Sequence, residues 1–111
     1  MPPTVLVSRF NQLATIAEAA PGAVLVRAFN SLGWETLAQP TFGAEAADLL
    51  YCSAEGARAV AERLISDVGL RPVRVGGLEH APLVDAVGAL WVQLALRAGF
   101  GRRLAFKVLT S

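Results

Sequence analysis

The residues able to do chemistry in this chain are few, and their spacing excludes more than it includes. There is one histidine, His80, and one cysteine, Cys52. With only scattered carboxylates beside them, they make neither a zinc nor an iron ligand set, which needs clustered N, S and O donors. A nucleophile needs a base within hydrogen-bond reach and a third group to orient that base, and no such triad can be built. His80 stands just ahead of a helical pattern, which suits a helix-entry role. Cys52 has no cationic neighbour in sequence to lower its pKa and reads as a small buried hydrophobe. The glycines fail as phosphate binders. Gly99-x-Gly101 lacks the third glycine of a GxGxxG turn and follows a helix, while Gly76-Gly77 follows a strand but lacks the remaining spacing. A dinucleotide fingerprint needs strand, glycine turn and helix in that order, so that the pyrophosphate meets a helix N-terminus. No Walker-type loop occurs either. What remains is Asn30-Ser31-Leu32-Gly33, small polar groups and open backbone at the end of the apolar run Val24–Phe29. In an open α/β sheet, ligands bind at that end of a strand.

Composition sets the class. The 111 residues are one domain by length, and a net charge of +1 without a basic stripe argues against nucleic acid. Hydrophobic residues make up 54% and charged residues 17%, more apolar surface than one small core hides, which predicts a partner surface or a missing domain. The start, MPPTVLVSRF, lacks the layout of a signal peptide. The most apolar stretch, Ala81–Gly99, carries Asp85, Gln93 and Arg97 and reads as a buried or interface helix, not a membrane span. A single cysteine fits a reducing compartment, so the expected location is cytoplasmic.

Several elements must position the Asn30 region. Val5-Leu6-Val7 fits a brief strand or a loose arm. Ser8–Ala20 reads as a helix, with Leu13, Ile16, Ala17 and Ala20 at helical spacing and Pro21-Gly22 as its stop. The strand Val24–Phe29 follows, then a fifteen-residue loop, Asn30–Ala44, in which Trp34 and Phe42 form a functional lid or pin the loop to the core. Asp48–Cys52 reads as a buried strand. Ser53 is the expected N-cap of a helix reaching about Val68, with Val60, Ala61, Leu64, Ile65 and Val68 on one face and Gly69 as its stop. Leu70–Val75 is the next strand, placed at a sheet edge by Pro72. Strand, helix and strand make one βαβ unit with parallel strands. Pro82 opens a helix from about Ala81 to Ala98, apolar on most of its circumference. The tail Gly99–Ser111 fits a terminal strand or a short helix. The expected fold is α/β: a sheet of three or four mostly parallel strands with flanking helices and a C-terminal apolar helix. Residues 1–80 would form the sheet region and residues 81–111 a helix-and-tail extension packed with it as one unit.

Two collinear segments then carry a resemblance. RAFNSLGWETLAQPTFGAEAADLLYC, followed by ERLISDVGLRPVRVGGLEHAPLVDAVGALWVQLALRAGFGRRLAFKVL, resembles the carboxyl-terminal part of the NADP oxidoreductases of the coenzyme F-420-dependent type. These are predicted dinucleotide-binding enzymes. The likeness runs from about Pro21 onward and implies that the sheet is a partial Rossmann-like one. Arg27 and Ser31 stand where that family usually has lysine and threonine, and Leu90-Trp91-Val92-Gln93 matches its late-helix run. The resemblance implies hydride transfer between NADP(H) and a deazaflavin or flavin-like acceptor, chemistry that the cofactors supply and the fold aligns. It implies that Ala28, Phe29, Asn30 and Leu32 lie near the nicotinamide, and that the late helix and tail shape the pocket for coenzyme F-420. The family opens with a strand, a GxGxxG turn and a helix, which these 111 residues do not contain. The expectation is therefore a truncated enzyme that by itself binds neither NADP(H) nor coenzyme F-420, and either a homodimer or a partner supplying the missing half. The alternative is a non-enzymatic dimerising or interaction module, favoured by the apolar helix and by an edge of the Val24–Phe29 strand left without a neighbour.

Overall fold

Alternating apolar runs and amphipathic segments fold into a mixed α/β structure with a four-stranded sheet and flanking helices. The computed structural model describes residues 5–8, 24–28 and 33–111. The strands are β1 (Val5–Ser8), β2 (Val24–Arg27), β5 (Asp48–Ser53) and β6 (Arg71–Gly76), adjacent in that order. β1 pairs parallel with β2, β2 antiparallel with β5, and β5 parallel with β6. Val5-Leu6-Val7 is thus a strand. It also corrects one expectation: β2 has a neighbour on each side, so its edge is not open. Apart from Ser8, which ends β1, the helix expected over Ser8–Ala20 falls outside the described residues.

The expected Asn30–Ala44 loop is not a loop throughout. It holds a helix, α1 (Trp34–Ala38), and a hairpin of β3 (Thr41–Phe42) and β4 (Glu45–Ala46), turning at Gly43 with φ +66. Five-residue helices and two-residue strands are too short to print a period on the sequence. Phe42 packs against the core, whereas Trp34 is 67% exposed and pins nothing.

The βαβ unit has the expected order and parallel strands, but of the apolar face expected on its helix only Ala61 and Ile65 are buried, while Leu64 and Val68 are exposed. A short 3-10 turn (Glu55–Ala57) leads into α2 (Arg58–Asp67), and Gly69, at φ +89, ends it in the left-handed conformation that glycine adopts freely. Ser53 is not the N-cap. It belongs to β5, and Ala54 precedes the turn without a side-chain cap. β6 is an edge strand, so Pro72 costs the sheet no ladder bond on its open side.

Parity along the strands sorts the two faces. Val26, Ala28, Leu49 and Tyr51 join Ala61 and Ile65 of α2 in one core cluster. Arg27 and Cys52, paired in register, share the other face. There lies the helix α3 (Ala81–Val92), extended by a π-helical turn (Gln93–Arg97). Its buried residues Ala81, Val84, Gly88, Trp91 and, on the turn, Ala95 recur every three or four positions. The tail is neither strand nor helix. It runs back irregularly to the start of β5, where the Asp48 amide donates to the Phe106 carbonyl at 3.2 Å.

Candidate functional site

β2 and β5 overlap only at their last residues, Val26 with Ser53 and Arg27 with Cys52, so two carboxyl ends converge although the strands run oppositely. A register shift between Tyr51 and Cys52 brings Gly76, the end of β6, opposite Cys52. Bulges of this kind re-aim side chains beside binding sites. Three strand ends and the start of α3 therefore meet at one place.

Arg27 is 1% exposed. A guanidinium cannot shed its charge, so it needs an anion when buried. Asp85 of α3 provides one: Arg27 Nε donates to Asp85 Oδ1 at 2.8 Å, and Nη2 reaches the same oxygen. This pair ties the end of β2 to the late helix across 58 residues of sequence. Beside it, Cys52 is fully buried, and burial pushes its thiol pKa up, with Glu79 and Asp85 adding to the rise and Arg74 and Arg27 opposing it. A protonated, buried thiol is no nucleophile.

Arg74 closes the cluster. Its Nη2 donates to the Ser53 carbonyl at 2.7 Å, and its Nη1 lies 3.3 Å from the exposed Glu55 carboxylate. Its Nε is buried without a partner, and so is the Ser53 hydroxyl. Buried donors without acceptors are rare and costly, and such a pair suits a ligand oxygen. Gly76-Gly77 serves another purpose. A Cβ on Gly76 would stand 2.5 Å from His80 Cδ2, and one on Gly77 would stand 2.3 Å from Glu79 Oε2. The glycines let the Glu79 and His80 side chains of the following 3-10 turn (Leu78–His80) lie close against the strand end. His80 sits at the entry to α3, as its sequence position suggests.

Of the residues that the sequence assigns to the cofactor, Ala28 follows β2 and is fully buried in the core cluster. Phe29, Asn30 and Leu32 lie outside the described residues. Gly33, directly after them, packs against Trp91: a Cβ there would meet the indole at 3.2 Å. The Trp91 indole N–H donates to the Leu104 carbonyl at 2.8 Å, and the Arg102 guanidinium lies 5.5 Å from the ring centroid while bonding Glu35 at 2.7 Å. The late helix and tail thus border the same region.

A second polar cluster sits at the other end of β5. The Asp48 side chain has no exposed surface, yet it accepts two bonds of 2.8 Å from Arg71, one of 2.7 Å from the Val108 amide and one of 3.2 Å from Lys107. Burial alone would raise its pKa; these donors outweigh it and hold the carboxyl below its ordinary value. Sequence reasoning missed both clusters. The available signal was a charged residue at the boundary of an apolar strand, Arg27 at the end of β2 and Asp48 at the start of β5.

No family model matches the chain, and no curated protein matches it. Solved structures do. Over 99% of its length the chain superposes on a candidate F-420-dependent NADP reductase from Arthrobacter sp. FB24, with a TM-score of 0.74 and 20% identity. The chain has the fold of half of that protein. It spans 51% of the Arthrobacter chain, and 58% of a hypothetical protein from Sinorhizobium meliloti that it matches with a TM-score of 0.57 and 20% identity. No helix among the described residues is long and apolar enough to cross a membrane, and no group of three or more His, Cys, Asp or Glu among them could hold a metal ion.

Proposed function

We propose that this chain is the carboxyl-terminal half of an NADP-linked oxidoreductase of the coenzyme F-420-dependent type, which passes hydride between NADP(H) and a deazaflavin or flavin-like acceptor. The observation that carries this is the end-to-end fold match with half of the Arthrobacter reductase. The absence of a triad and the protonated Cys52 are consistent with it, because hydride transfer between two bound rings asks the protein for alignment, not proton chemistry. The unpartnered Arg74 Nε and Ser53 hydroxyl fit an acceptor-rich group such as ring carbonyls. Gly76-Gly77 does not fit a pyrophosphate, since the Glu79 carboxylate, itself an anion, lies against Gly77. In this reading Ala28, Phe29, Asn30 and Leu32 border the nicotinamide; Ala28, being buried, contributes backbone only. Arg27–Asp85 holds the end of β2 against α3.

The same reading calls for a partner, either a second copy or a chain that brings the glycine-turn half. Leu83 and Leu90, two helical turns apart on α3, are 56% and 49% exposed. An exposed apolar stripe of this kind favours association.

Titration of the chain with F-420 and, separately, NADPH, followed by quenching of Trp34 and Trp91 fluorescence, tests the proposal. The unpartnered Arg74 Nε and Ser53 hydroxyl change the expectation for F-420 from the one the sequence gives, so the expected result is saturable quenching by F-420 and none by micromolar NADPH. Tight NADPH binding would show that the phosphate grip lies within these residues. Loss of both responses would remove the oxidoreductase reading.

A further inference from the structure

A second opening lies at the Asp48 end of the sheet, and its chemistry does not depend on the oxidoreductase reading. Between the β3–β4 hairpin and the tail is a half-open cavity of about 260 Å³. Phe42, Ala46, Ala47, Ala105 and Phe106 form its apolar wall, and Glu45 and Lys107 are the charged residues that line it. An apolar cavity of about 150 Å³ accepts benzene, so this one has room for a single ring with a short arm. The wall is well supported: Phe42 and Ala105 pack against the core, and the Arg103 guanidinium lies 3.9 Å from the Phe42 ring centroid.

The charges favour an anion on that arm. The Lys107 ammonium holds three oxygens: the Ala46 carbonyl at 3.1 Å, Asp48 at 3.2 Å and Glu45 at 3.6 Å. The first two contacts are fixed by backbone and by a carboxylate with no exposed surface. The third is beyond hydrogen-bond length, to a side chain 72% exposed, and an ion pair of that kind contributes little. Glu45 is therefore the exchangeable partner. With it turned to solvent, the buried Asp48 is shared by Arg71 and Lys107, so the Arg71–Asp48–Lys107 cluster, which meets the cavity at Lys107, carries one net positive charge.

We propose that this cavity binds a small aromatic monocarboxylate, its ring between Phe42 and Phe106 and its carboxylate on Lys107 in place of Glu45. The probe is 3-phenylpropionate added to the full chain, with the neutral 3-phenylpropanamide as comparison and backbone amide shifts as readout. A ligand of this size should bind with a Kd on the order of 1 mM. The shifts should saturate and centre on Ala46, Ala47, Ala105 and Lys107. The amide should bind about tenfold more weakly, the difference of one charge-assisted hydrogen bond. Glu45→Gln should tighten binding by removing the competing carboxylate, Lys107→Met should weaken it at least about tenfold, and Lys107→Arg should retain it. Ala46→Leu fills the cavity from the hairpin side and should abolish the response while leaving the amide spectrum dispersed. Equal binding of acid and amide, unchanged binding by Lys107→Met, or shifts centred elsewhere would overturn the proposal. So would concentration-dependent shifts at these amides without ligand, which would mean that a second copy fills the site.

Discussion

Asp48 is heavily committed, with Arg71, Lys107 and the Val108 amide all directed at one carboxylate that has no exposed surface. Because its folded pKa lies below the ordinary value of about 3.9, the stability it provides is fully present above that value. It is lost as pH falls through the lower folded pKa. Urea midpoints should therefore be level from neutral pH to about pH 5 and drop below about pH 4. Asp48→Asn should lower stability at pH 7 by about 2–4 kcal/mol, because it leaves two cations and an amide facing a neutral group. It should also flatten the acid drop. Part of the drop should remain, since the Arg102 hydrogen bond lowers the Glu35 pKa and the Tyr51 hydroxyl lowers that of Glu62. Cys52 gives a second prediction at this scale. Its burial and raised pKa should make the native protein resist iodoacetamide at pH 7.5, while the urea-unfolded chain reacts at the rate of a free thiol; equal rates would contradict the buried placement.

Elements differ in how strictly their ends are set. Gly69 ends α2 at φ +89, and a Cβ there would lie 2.7 Å from Pro40 Cγ. Gly69→Ala combines left-handed strain with a clash against a rigid ring, so it should cost about 2–3 kcal/mol and lower Tm by roughly 8 °C or more in a thermal melt. Gly43, in the β3–β4 turn, also has positive φ, but its Cβ position is open. Gly43→Asn should therefore change stability by less than about 1 kcal/mol, since asparagine tolerates the left-handed region. A similar loss at both positions would show that the Pro40 contact contributes nothing.

For the whole molecule the question is what covers α3. Its inner stripe packs beneath it, and Leu83 and Leu90 stand outward. If that stripe is the partner surface, light scattering at high micromolar concentration should give twice the chain mass, and the double variant Leu83→Glu with Leu90→Glu should give a monomer with unchanged Tm. A monomeric native chain would remove the homodimer and leave the glycine-turn half as the partner to seek.

Local information was enough for the βαβ unit. Apolar runs of strand length, a helical stripe from Ala61 to Ile65 and the stop at Gly69 all lie within about thirty consecutive residues, and each reports its own conformation through periodicity and backbone freedom. The same holds for the buried, inert character of Cys52 and the helix-entry place of His80. Pairing across the chain was beyond that reach. Nothing local states that β2 meets β5 antiparallel at two residues, that Arg27 finds Asp85, or that the tail returns to Asp48 instead of forming a strand. Those contacts link residues 25 to 60 positions apart. Long-range electrostatics and packing choose among many sequence-compatible partners, and only the assembled sheet brings Asp85 to the buried Arg27 guanidinium and Arg71 to the buried Asp48 carboxylate. α1 and the β3–β4 hairpin were hidden for a different reason: they are shorter than the repeat that would reveal them, and the surface they dock on, not their own pattern, holds them in place.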